Sequence, residues 1–116
     1  MDEIGSATRP LLSTATIASW LESLQTEAAK AGVKLAELRE SQSHTPTVAA
    51  DYDADRAIGR ISVWATGEFD FEVLHTSNGE FAFFRHQSTV DLADVALLEA
   101  YRAFLKSMAD PGARSD

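Results

Sequence analysis

Between Ile58 and Val73 the chain alternates apolar and polar positions with period two. Gly59, Ile61 and Val63 interleave with Arg60, Ser62 and Trp64; beyond Ala65-Thr66-Gly67, Phe69, Phe71 and Val73 interleave with Glu68, Asp70 and Glu72. This is the pattern of a half-buried antiparallel strand pair. A loop of only Thr66-Gly67 pairs Val63 with Asp70 and Trp64 with Phe69, which mixes polar and apolar groups on each face. A loop of Ala65-Thr66-Gly67 instead pairs Val63 with Phe69, Ile61 with Phe71 and Gly59 with Val73. The opposite face then holds Trp64 beside Glu68, Ser62 beside Asp70 and Arg60 beside Glu72. Such loops end in a left-handed residue forming a bulge, and Gly67 is suited to that place. Because a one-residue slip inverts a strand's faces, the longer loop is the expected one.

Upstream the spacing is helical. Ile17, Trp20, Leu21, Leu24, Ala28 and Ala31 follow the potential caps Ser13, Thr14 and Thr16, and Gly32 stands where a left-handed C-terminal cap belongs. One helix is expected over about 14–31. Val33, Leu35 and Glu37 then alternate with Lys34, Ala36 and Leu38, a strand signal, before a polar loop over 40–46 that ends at Pro46. Thr47–Tyr52 can form a further strand, with Val48, Ala50 and Tyr52 on one side, and Asp51–Arg56 an acidic turn. Asn78-Gly79 signals a second hairpin. A two-residue turn there places Glu72 opposite Arg85 and Val73 opposite Phe84, and is preferred because it matches unlike charges; a longer turn places Val73 opposite Phe83. A last helix follows Thr89 or Asp91, either of which can cap it. Its apolar face comprises Val95, Leu97, Leu98, Tyr101, Phe104, Leu105 and Met108, and Asp110-Pro111-Gly112 ends it.

The expected architecture is α+β: an antiparallel β-meander of four to five strands, with an N-terminal and a C-terminal helix packed on one face. Residues 1–12 read as a loose leader, 13–109 as a single domain and 110–116 as a frayed tail.

At 116 residues, with 45% hydrophobic and 24% charged, the chain can bury a core without staples. It has no cysteine, so disulfides and Cys-based zinc sites are excluded. No apolar run approaches the roughly 18 residues of a membrane span, and the start Met1-Asp2-Glu3 is acidic where a signal peptide is basic. A soluble cytoplasmic protein is expected. Its 10 basic and 18 acidic residues give a net charge of −8. That disfavours nucleic acid, whose phosphates demand clustered Lys and Arg. It suits either plain solubility or a basic protein partner.

Catalytic chemistry finds little support. His75 and His86 lie on adjacent expected strands with Asp70 or Glu72 nearby, but a metal site needs three or four convergent ligands, so neither metal nor cofactor is expected. Glu68, Asp70 and Glu72 share a strand face and could act as acid and base, yet alternating acids there ordinarily form a solvated surface. Asp51, Asp53 and Asp55 imitate a calcium loop only until Arg56 and Ser62 replace its glycine and glutamate. Trp64 either packs inward as core or, in the expected register, stands among charges on the open face, as an interface hot spot does.

The run Tyr52-Asp53-x-Asp55-Arg56-x-Ile58-Gly59-Arg60-Ile61-x-Val63-Trp64-x-x-Gly67-Glu68-x-x-x-Glu72-Val73 resembles the TriTu immunity proteins. The likeness takes in Ile17-x-x-Trp20-Leu21, Gly32-Val33 and Pro46 before it, and Gly79-Glu80-x-x-Phe83 and Phe104-Leu105 after it, spanning about 17–108. The resemblance implies an immunity protein without enzymatic activity. Its partner would be a secreted ADP-ribosyltransferase toxin, of the Rhs and type VI secretion kind, that modifies elongation factor Tu. The immunity protein would act by stoichiometric binding, as a monomer or weak dimer when free. A small acidic secretion chaperone is the alternative. The register nominates Arg60, Trp64, Glu68, Asp70 and Glu72 as toxin contacts, whereas Gly59, Ile61, Val63 and Gly67 are expected to serve the fold.

Overall fold

The computed structural model describes residues 12–42 and 44–109. Five antiparallel strands lie side by side in chain order. They are β1 (Lys34–Ser41), β2 (Thr47–Ala54), β3 (Ala57–Trp64), β4 (Glu68–His75) and β5 (Glu80–Ser88). Helices α1 (Thr14–Ser23) and α2 (Gln25–Lys30) precede them and α3 (Val95–Ala109) follows. The expected tail lies outside the described residues, as does the expected leader apart from Leu12.

The β3–β4 hairpin has the register that the face-matching argument requires. Val63 pairs with Phe69, Ile61 with Phe71 and Gly59 with Val73, while Trp64 pairs with Glu68, Ser62 with Asp70 and Arg60 with Glu72. Gly67 closes the turn at φ +99°, its N–H donating to the Trp64 carbonyl at 2.8 Å. An L-residue is strained at that φ, and a Cβ there would also stand 2.8 Å from the Thr89 carbonyl oxygen.

The second hairpin departs from the preferred two-residue turn. Val73 pairs with Phe83 and Glu72 with Phe84, so Arg85 stands opposite Phe71 instead of Glu72. Backbone geometry outweighs the charge match. Asn78 accepts the Glu80 N–H through its side chain at 3.0 Å, and the Gly79 N–H reaches the His75 carbonyl at 2.9 Å, which makes a longer turn. A bulge at Ala82 of β5, opposite Val73 and Leu74, then puts both Phe81 and Phe84 on the outer face. A bulge at Ala36, between Leu35 and Glu37, acts similarly in β1. It resets the alternation so that Leu35 and Leu38, rather than Leu35 and Glu37, pack against the core. Pairing of Glu40 with Val48 and Ser41 with Thr47 extends β1 into the expected loop, and β2 runs on through Asp53 to Ala54, which leaves Asp55-Arg56 as the turn.

The single N-terminal helix expected over 14–31 is instead broken at Leu24. In an unbroken helix the Leu24 N–H would bond the Trp20 carbonyl. The Ser23 hydroxyl takes that carbonyl at 2.7 Å, and the Leu24 N–H turns to Leu21 at 3.2 Å. Gly32 does cap α2, with Val33 N–H on the Ala28 carbonyl and Gly32 N–H on Ala29, the Schellman arrangement. At α3 neither Thr89 nor Asp91 is the cap. Both are engaged in the preceding turn, and Asp94 receives the Ala96 N–H on its carboxylate at 2.9 Å.

All the helices cover one face of the sheet. Val48, Ala50 and Tyr52 from β2, Ala57, Ile61 and Val63 from β3, and Phe69, Phe71 and Val73 from β4 are buried there. They meet Ile17 and Leu21 of α1 and Leu97, Tyr101, Phe104, Leu105 and Met108 of α3. Each such Phe, Leu or Ile side chain contributes roughly 1.5–3 kcal/mol relative to exposure, so this layer dominates the stability. Phe104 is its hub, its ring 5.2 Å from Tyr52 and 6.0 Å from Phe71. Trp20 joins α1 to the same cluster, at 5.7 Å from Phe69 and 6.2 Å from Tyr101.

Gly59 sits directly beneath. A Cβ there would lie 2.6 Å from Met108 Sδ and 2.8 Å from two carbons of the Phe104 ring. Gly59→Ala should therefore lower stability by about 1–3 kcal/mol through overpacking, read as a fall in the urea midpoint at unchanged slope.

The protein's two tyrosines, Tyr52 and Tyr101, are both in this core. Burial pushes the Tyr101 hydroxyl up to about 12, and burial raises that of Tyr52 as well. The unfolded chain ionises its tyrosines near pH 10, about the model-peptide value, while the folded chain keeps them protonated. Their contribution to stability is thus complete below about pH 10 and declines above it. Absorbance at 295 nm should show little tyrosinate at about pH 10 while the near-UV dichroism persists, and should rise as the fold is lost or as the pH nears the Tyr101 value of about 12.

Candidate interaction face

The face away from the helices carries nothing among the described residues. Strand alternation delivers a cross-strand grid of side chains to it. One row runs Thr47, Trp64, Glu68, Ser88; the next Ala49, Ser62, Asp70, His86; the next Asp51, Arg60, Glu72, Phe84; and the last Asp53, Ile58, Leu74, Phe81. All five residues nominated from the sequence, Arg60, Trp64, Glu68, Asp70 and Glu72, therefore share this surface. Trp64 is half-buried on it, beside the turn, and is not part of the core.

The centre of the face is an ion-pair ladder. Asp51 on β2 accepts from Arg39 Nη2 at 2.6 Å through one carboxylate oxygen and from Arg60 Nε at 2.8 Å through the other. Arg60 thus leans toward β2, although Glu72 is its strand partner. The Asp51 carboxylate holds the Arg60 guanidinium above its usual pKa range, first by the hydrogen bond and then by charge. At the Trp64 end, His86 Nδ1 lies 2.6 Å from Asp70 and its Nε2 lies 3.7 Å from Glu68. His75 is the last residue of β4 and pairs with Glu80, so the two histidines do not converge. Among the described residues no three His, Asp or Glu side chains are placed to hold a metal ion. None of their helices is long and apolar enough to cross a membrane.

The structure adds residues to this face that the sequence pattern does not single out. Asp51 belongs to the segment expected to turn, and its role as the bridge between two arginines depends on β2 continuing past it. Phe84 and His86 follow from the β4–β5 register, which the bulge sets. Ile58 was legible, since it precedes Gly59 in the alternation and must point outward with Arg60. Ile58, Phe81 and Phe84 are 45%, 70% and 61% exposed, a density of bare apolar surface unusual among so many acids.

A family model described as immunity protein TriTu matches residues 15–107. The chain belongs to that family. The match begins in α1 and ends inside α3, so it takes in the whole sheet, all of α2 and most of the other two helices packed upon it. No curated protein matches the chain. As a TriTu family member it has an immunity role, with a cognate toxin protein as partner.

The ladder pairs are exposed, with side-chain accessibilities of 44% for Arg39, 51% for Arg60 and 29% for Asp51, and pairs of this kind are worth roughly 0–1 kcal/mol. They orient the guanidinium groups more than they stabilise the fold. Asp51→Asn should lower the unfolding free energy by less than about 1 kcal/mol, a difference that urea titrations in high salt should shrink.

Proposed function

We propose that this immunity protein neutralises its toxin by covering it with the open β3–β4 face, one molecule to one toxin and without catalysis of its own. Arg60, Trp64, Glu68, Asp70 and Glu72 are the contact residues in this reading, borne by a domain spanning 13–109. The observation that carries it is the half-buried Trp64 within an acid-rich sheet face on which no described element packs. An aromatic ringed by charged groups supplies contact area at its centre and steering at its rim. The net charge of −8 favours a basic partner, whose capture electrostatic attraction can accelerate by roughly 10- to 1,000-fold.

The TriTu family supports a finer identity for the partner. It is an ADP-ribosyltransferase domain, carried by an Rhs protein of a type VI secretion system, that modifies elongation factor Tu. The immunity protein acts in the cytoplasm as a monomer or weak dimer, blocks access to NAD or to the target, and needs no cofactor. Co-expression should rescue cells from the toxin domain encoded beside its gene, and the purified pair should form an equimolar complex in which NAD consumption ceases. A chain that bound an export segment while leaving toxin activity intact would be a chaperone instead. Trp64→Ala should weaken toxin binding by about tenfold or more with thermal stability little changed, as measured by calorimetry and circular dichroism. Loss of the folded state on that substitution would instead make Trp64 a core residue.

A further inference from the structure

At the end of the open face farthest from Trp64, the sheet forms a shallow groove of about 380 Å³. Ile58, Leu74 and Phe81 make its apolar part, Asp51, Asp53 and Glu72 its acidic part, and Arg60, already turned to Asp51, lines it as well. Register explains the mixture. Asp53, Ile58, Leu74 and Phe81 form one cross-strand row, and Asp51, Arg60 and Glu72 the next. The carboxylates differ in availability. Asp51 is held by Arg39 and Arg60, and Glu72, without an ion pair of its own, lies in the field of Arg60, whereas Asp53 has no ion pair among the described residues.

We infer that this groove is the anchor point for an arginine side chain presented by the toxin, an inference that rests on the toxin-binding reading above. Two requirements select that occupant. A purely apolar group would cover Ile58 and Phe81 but strip water from Asp53 and Glu72 without pairing them, which is costly. A compact cation would pair the carboxylates and leave Phe81, 70% exposed, still bare. An arginine meets both needs: its stem covers Phe81 and Leu74, and its planar guanidinium, above Ile58, turns its N–H fork toward Asp53 and Glu72. A second copy of this chain is the wrong partner, because two bodies of charge −8 would bring like charges together.

The test uses the full chain and the toxin domain encoded beside its gene, with affinity measured by calorimetry. Asp53→Lys, Phe81→Ser and Glu72→Gln probe the groove. Asp55→Lys makes the same charge change as Asp53→Lys but lies in the β2–β3 turn, off the groove. All four side chains are exposed or half-buried, and melting curves identify any variant that does not fold. Asp53→Lys and Phe81→Ser should each weaken binding by about tenfold or more, and Asp55→Lys by less than about threefold. One toxin arginine, replaced by alanine, should lose as much affinity against the wild type and almost nothing further against Asp53→Lys. Groove variants that bind like the wild type would overturn the inference, as would an equal loss from Asp55→Lys, which would reduce the effect to the general field. Coupling to no arginine would overturn it as well. Failure of the wild type to bind the toxin would remove the underlying function, and that result is visible before any variant is made.

Discussion

Phe104 can reach the sheet because Gly59 has no side chain. The space that a Cβ would occupy is filled by the Phe104 ring and Met108 Sδ, and Tyr52 and Phe71 close around the ring from the strands on either side. Contact this close fixes the position of α3 across β2, β3 and β4 together. It also determines which face of the sheet is buried. With Gly59 turned inward, strict alternation sends Ile58 and Arg60 outward, and the neighbouring strands must follow. The acids and arginines of the open face are thus held there by packing on the other side. Their own pairings, exposed and worth little individually, could not impose that arrangement.

Gly67 carries the same constraint to the far end of the hairpin. Its left-handed backbone sets the turn that keeps Trp64 opposite Glu68, and its carbonyl accepts the Thr89 N–H at 2.8 Å. That bond ties the β3–β4 turn to the segment between β5 and α3. One small residue therefore fixes the register and anchors the connection that returns the chain to the core. A larger side chain would violate both the φ and the clearance to Thr89.

The parts of this design that were readable from the sequence are those governed by face matching. Val63, Ile61 and Gly59 could be aligned with Phe69, Phe71 and Val73 because only one loop length keeps all six on one side. The β4–β5 pairing was not readable in the same way. Phe81, Phe83 and Phe84 offer apolar groups to both faces, and a bulge at Ala82 is invisible to a period-two count. Matching Glu72 with Arg85 followed the weaker force, since an exposed charge pair yields to turn geometry. The break at Leu24 had a local cause, a serine hydroxyl competing for one carbonyl, that helical spacing does not register. For the face itself, Arg60, Trp64, Glu68, Asp70 and Glu72 were legible as a set. The Asp51 bridge and Phe84 were not, because each depends on the neighbouring strand's extent or register.

The open face divides its charges unevenly, and the division bears on how it can bind. In the middle, Glu37, Arg39, Asp51 and Arg60 pair in series, which orients the two guanidinium groups. Toward Trp64, Asp70 lies 2.6 Å from His86 Nδ1, so the aromatic stands beside a carboxylate that already has a partner. Toward Phe81, Asp53 remains open beside bare hydrocarbon, and Glu72 is met only by the field of Arg60. A partner that covers the whole surface would find the central charges already paired, which costs less than burying the same charges alone. It would gain most at the two ends, through an aromatic contact at one and a cation at the other. Two anchors separated by a satisfied ladder can fix both the position and the direction of a bound protein, something a uniform acidic field can hasten but cannot specify.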